Sequence, residues 1–182
     1  MSRIAVLACL LFLSASIALA DQSSPYAGQQ LREIKALSPQ DVQQYLEGKG
    51  MGLAKAAELN HFPGPMHVLQ FEDKLQITPE QKTQTGKIFA AMQLESSSLG
   101  ALLVDKEREL DRLFASGNIE AARLGSLVME IGRLQAAVRT AHLQAHLEQK
   151  AILTPVQIAA YDKLRGYAQD NASPHPGNSG GH

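Results

Sequence analysis

Residues 124–157 read LGSLVMEIGRLQAAVRTAHLQAHLEQKAILTPVQ, and the fold is decided by how this stretch is read. Leu124, Leu127, Ile131, Leu134, Val138, Ala141 and Ala145 recur at alternating steps of three and four, the spacing with which one helix packs along another. The stretch closes on Leu153-Thr154-Pro155-Val156-Gln157. There Thr can cap a new helix, Pro fits its first position, and Gln stands three residues after the cap. A long helix from Glu120 to about Lys150 is therefore predicted, then a short one bearing Ile158, Tyr161, Leu164 and Tyr167 on one side.

The same start signal occurs upstream as Ile77-Thr78-Pro79-Glu80-Gln81. It opens a second long helix, to about Ala115, in which Phe89, Met92, Ser96, Leu99, Leu103, Lys106, Leu110 and Leu113 alternate the same steps. At about 1.5 Å per residue this helix spans on the order of 55 Å. Ser96, Ser97, Ser98 and Gly100 are poor helix formers and predict a bend or soft point at its middle. Ser116-Gly117-Asn118 turns the chain, so the two long helices form an antiparallel hairpin. The mixed charges from Asp105 to Arg112 read as a solvated face with internal pairs.

Ahead of the hairpin the elements are short. Residues 21–37 read as an extended arm with at most a short helix over Gln30 to Ala36. Ser38-Pro39-Gln40-Asp41 starts a helix to about Glu47. Gly48, Gly50 and Gly52 stop it; Leu53 to Asn60 is helical, His61-Phe62-Pro63-Gly64-Pro65 breaks the chain, and a third short helix runs from Pro65 to Gln76. The glycine cluster lacks the preceding strand and the Gly-Lys-Ser/Thr ending of a phosphate loop, which argues against nucleotide binding.

Residues 1–20 have the form of a secretion signal: Arg3, an apolar run from Ile4 to Leu13, and Ala18-Leu19-Ala20 as the cleavage site. A spanning anchor needs roughly 20 apolar residues, and Ser14 and Ser16 interrupt this run, so no stable membrane insertion is expected. Cleavage removes Cys9, the one cysteine, which excludes disulfides and thiol chemistry from the mature chain. Of 17 basic side chains Arg3 leaves with the signal, so 16 stand against 18 acidic ones. Such a balance gives no basic field for nucleic acid. The organisation is thus a signal peptide (1–20), an N-terminal arm with short helices (21–64), an all-α helical domain (65–169) and a disordered tail rich in Pro, Gly, Ser and Asn (170–182). An elongated helical body with a thin core favours a homodimer.

Two Leu/Ile-Thr-x-x-Gln motifs, Ile77, Thr78 and Gln81 in one and Leu153, Thr154 and Gln157 in the other, bracket a long helical hairpin in an exported, cysteine-free chain. In this the sequence resembles the Spy/CpxP family of periplasmic proteins, which includes periplasmic heavy-metal sensors; the resemblance covers about Pro65 to Tyr167. It implies an all-helical protomer, a curved dimer and a periplasmic location. It also implies action without ATP: as a chaperone for unfolded or misfolded envelope proteins, as a brake on a membrane stress sensor, or as a metal-binding partner of a resistance system. The segment from Pro25 to Phe62 is longer than the usual family N-terminus, and the chain lacks the basic character expected of the family's chaperone surface.

The sharpest chemical signal is His142 and His146, four apart on one side of a helix and near enough to share a metal ion. The sequence demands no cofactor; what this pair suits is a divalent transition ion, zinc, copper, nickel or cobalt. Further ligands would come from His67, Met66, Glu148, His61, Glu58 or a second subunit. Against this stands the plain alternative of two partly exposed helix histidines, since His142 flanks the packed seam and His146 lies further round. His67 reads as a half-buried histidine first and a ligand second. His175 and His182 in the tail are at best weak scavengers, and Met51, Met66, Met92 and Met129, scattered in sequence, read as core packing. Leu143 stands where a zinc peptidase needs its glutamate base. No catalytic triad or carboxylate pair assembles, so no enzyme is expected.

Overall fold

The computed structural model describes residues 24–168; the segments read as a signal peptide (1–20) and a tail (170–182) lie outside them. A 3-10 turn, Gln29–Leu31, precedes α1 (Pro39–Leu46), α2 (Lys55–Glu58), α3 (Pro65–Gln70), α4 (Glu72–Leu75), α5 (Pro79–Ser116), α6 (Ala121–Ile152) and α7 (Pro155–Arg165), with no strand among the described residues. The fold is all-helical, as the spacing requires. α5 and α6 form the hairpin, turned by Gly117 in the left-handed conformation at φ 70°. No helix among the described residues is long and apolar enough to cross a membrane.

The seam of α6 packs as its spacing predicts: Leu127, Ile131, Val138, Ala141 and Ala145 are buried, while Leu124 and Leu134 are partly covered. Toward the tip, Leu103, Leu127 and Ile131 form a cluster with Tyr45, Leu110, Leu113 and Leu134 packed on it. At the foot, Val68, Leu75, Leu153 and Tyr161 form a second cluster joined by Phe71, Ile77 and Ile158. The two are separated by the stretch that carries the histidines.

The starts of α5 and α7 are built alike. Thr78 accepts from the Gln81 amide and Gln81 reaches back to the Thr78 amide; Thr154 and Gln157 repeat the arrangement. Each glutamine also bonds the other, Nε2 to Oε1 at 2.9 Å in both directions. Gln81 Nε2 further donates to the Ile152 carbonyl at 2.8 Å. The motifs thus cap two helices and clasp the foot of the hairpin.

Several expectations are corrected. The weak middle of α5 is an unbroken helix, and its small residues form a notch for α1. A Cβ on Gly100 would lie 2.2 Å from the Tyr45 carbonyl oxygen, and Ser96 is fully buried beside Gly48. Small residues are there because another backbone crosses over them. The arm holds only the 3-10 turn Gln29–Leu31 and bends, within the expectation of at most a short helix over Gln30 to Ala36. Ile34 is buried, Lys35 binds Asp111 at 2.9 Å, and Glu33 binds Arg108 at 2.8 Å. The charged run on α5 therefore pairs with the arm and with α6 (Lys106 with Glu130, Glu109 with Arg123) as well as internally. The helix predicted over Leu53 to Asn60 contracts to α2, and the one from Pro65 to Gln76 breaks at Phe71 into α3 and α4.

Candidate metal centre

His142 and His146 are buried, at 3% and 8% exposed, which corrects the expectation of a partly exposed pair. The cover of His146 comes from the Phe62–Gly64 segment, distant in sequence. The Phe62 carbonyl accepts from His146 Nδ1 at 2.8 Å, and a Cβ on Gly64 would lie 3.0 Å from His146 Cε1. Lys150 caps the outside, its Nζ 3.7 Å from the centre of the Phe62 ring.

The hydrogen bonds fix which ring nitrogen is free. His146 spends its Nδ1 proton on the Phe62 carbonyl, closer than Glu58 Oε2 at 3.7 Å, so its Nε2 carries the lone pair. His142 Nε2 is buried without a partner, and the Lys49 backbone lies beside the same ring. An imidazole whose Nδ1–H is held by a carbonyl, leaving Nε2 open, is the arrangement that orients metal-ligating histidines. Burial, reinforced by His146, holds His142 below the ordinary histidine range and so in the neutral form a ligand needs.

Both rings line a cavity of about 130 Å³ that also touches Gly48, Met66, His67 and Met92. Burial and the nearby Arg165 keep His67 below its ordinary range as well. Its Nδ1 faces Tyr161 Oη at 3.5 Å and Glu58 Oε1 at 3.8 Å. Behind the cavity Glu58 anchors a polar network: Oε1 accepts from Tyr161 Oη at 2.6 Å, Arg165 Nε at 3.1 Å and Tyr167 Oη at 3.2 Å. Burial first, and the bond to Glu58 second, push the Tyr161 hydroxyl well above its ordinary range, so it remains a donor.

The other ligand candidates are placed elsewhere. His61, in the left-handed conformation at φ 63°, gives its Nδ1 to Asp162 at 2.7 Å. Glu148 is exposed and bonds Gln144. Among the described residues no group of three or more His, Cys, Asp or Glu side chains is arranged to hold a metal ion. The methionines are not core packing either: Met51, Met66 and Met92 escape full burial, and Met129 is 60% exposed. Met66 borders both the cavity and an adjoining, more open hollow of about 390 Å³ that Met51 also lines. Sequence reasoning missed the roles of Met92, Tyr161 and Arg165. The step of four from Met92 to Ser96 placed Met92 on the inner face of α5, but nothing in the sequence set that face opposite His142.

The chain is thus an all-helical hairpin protein with two buried imidazoles at the wall of a small cavity. A family model described as heavy-metal resistance matches residues 51–160, and the chain belongs to that family, a Spy/CpxP-like group of periplasmic helical proteins. No curated protein and no solved structure matches the chain. The matched stretch takes in α2 to α6 and so every residue of the cavity except Gly48, Lys49 and Gly50.

Proposed function

We propose that this is a periplasmic metal-binding protein of a heavy-metal resistance system, in which His142 and His146, assisted by His67, take a transition-metal ion and the chain works by binding and not by turnover. The observation that carries this reading is the free Nε2 of His142, buried and without a partner at the wall of the cavity. A buried polar atom left unpaired is costly, and a metal ion would satisfy it. The fixed tautomer of His146, one turn away, supports the same reading. Isothermal calorimetry of the mature chain with transition-metal ions tests it. The expected result is one ion per chain, lost in His142→Ala with His146→Ala; binding unchanged in that variant would sink it.

A second reading, an ATP-independent chaperone or stress adaptor for misfolded envelope proteins, draws on Leu94, Leu102, Phe114, Val128 and Met129, all exposed on the hairpin. The same side chains could join two copies as a homodimer. Suppression of client aggregation by the metal-free chain without nucleotide would favour this reading over the first.

A further inference from the structure

The donors around the cavity mix imidazoles, which suit many transition ions, with soft thioethers. Structural zinc takes four nitrogen, sulfur or oxygen donors, and catalytic zinc three, whereas no three His, Cys, Asp or Glu side chains among the described residues are so arranged. The nearest carboxylate is Glu58: its Oε1 already accepts three hydrogen bonds, one of them from Arg165, and its Oε2 lies 3.7 Å from His146 Nδ1, the nitrogen engaged with the Phe62 carbonyl. Beside the imidazoles of His142 and His146 the wall carries His67 and a pair of thioethers, Met66 and Met92. Soft thioether sulfur selects monovalent copper over zinc or nickel. The same cavity is small and lined by apolar surface such as Phe89, where a single charge is far less costly to bury than a double one.

Resting on the metal-binding reading above, we propose that the ion is a monovalent coinage metal, Cu(I) or its analogue Ag(I), held by Nε2 of His142 and His146 and by the thioether sulfurs of Met66 and Met92. The more open hollow bordered by Met51 and Met66 is then its way in, a path of thioethers leading to imidazoles. The site departs from the divalent ion that the histidine pair alone suggests, because the methionines 26 and 50 residues before Met92 and His142 respectively come to it only through the fold.

The test is an anaerobic competition titration of the full mature chain with Cu(I) against a chromogenic Cu(I) chelator. Parallel titrations use Ag(I), Zn(II), Ni(II) and Co(II), and X-ray absorption is recorded on the Cu(I)-loaded protein. The expected result is one Cu(I) per chain, bound more tightly than any of the dications, with both sulfur and imidazole scatterers. Met66→Leu with Met92→Leu, nearly volume-conserving changes at positions outside the fully buried core, should weaken Cu(I) by more than the roughly tenfold an outer-shell partner is worth. Helicity by circular dichroism checks that this variant is folded, and the absorption spectrum of the unaltered chain decides the point independently. A dication bound more tightly, lost with the histidines but indifferent to the methionines, or a spectrum with nitrogen and oxygen only, overturns this assignment and leaves the metal-binding reading standing. Failure of every ion to bind overturns both.

Discussion

Leu127 and Gln149 lie on the same helix and are equally inaccessible, both 0% exposed, yet they belong to different kinds of interior. Around Leu127 the tip half is apolar, with Leu103 and Ile131 in contact and Tyr45, Leu110, Leu113 and Leu134 packed outside. Around Gln149, between the tip cluster and the apolar cluster at the foot, the interior is polar: Thr85, His142 and Gln149 each have a buried side-chain atom with no partner, and the Glu58 network lies beside it. One half is organised to stay folded. The other keeps groups that cost stability and that a ligand can use, the pattern expected where function overrides local packing rules.

The comparison breaks most visibly at Leu127. Leu127→Ala should destabilise the chain by about 3 kcal/mol, since it removes a fully enclosed side chain from a core with nothing to fill the space; chemical denaturation measures it. A loss under about 1 kcal/mol would mean that the tip is not the stabilising half. The opposite sign is expected in the polar stretch. Gln149→Leu replaces an amide whose Nε2 and Oε1 are both unpartnered, and should stabilise by about 1 kcal/mol. Destabilisation there would show the amide to be satisfied and the contrast false.

The smallest effect refines the picture of the tip, because one carboxylate lies in the apolar half. Glu107 is 8% exposed, and burial raises its carboxyl above the ordinary value of 4.5. In the unfolded chain that group ionises near 4.5, whereas the folded chain holds its proton to higher pH. Its contribution is therefore full in acid and is lost as pH rises through the raised folded value. Glu107→Gln should leave stability unchanged below that range and increase it at neutral pH by under about 1 kcal/mol. Thermal unfolding followed across pH reads the crossover; a gain independent of pH would assign the effect to packing instead of charge.

How much of this was readable beforehand follows the same division. The tip was legible because its information is periodic: the steps of three and four from Leu124 to Ala145 name the buried side of α6 without reference to any other residue. The caps were legible too, since Thr78 with Gln81 and Thr154 with Gln157 act within four residues. The site was legible only as a pair on one side of a helix. Whether His146 is covered depends on Phe62 and Gly64, and whether thioethers share its cavity depends on α3 and α5 meeting beside α6. Such facts have no local signature. Likewise Ser96 and Gly100 looked like weakness in a helix, because propensity describes the chain that bears them and not the backbone of Tyr45 lying across it.

The clasp between Gln81 and Gln157 has a geometric corollary. It joins points separated by 76 positions along the chain, with an out-and-back path between them, so a change in the length of one rod must be offset in the other for the amides to meet. An evolving chain could lengthen this object only by adding matched pieces to both rods at once, in multiples that return the same side of each helix to its neighbour. The glutamines thus act as a gauge that registers any unmatched insertion at the far end as a broken bond at the near one.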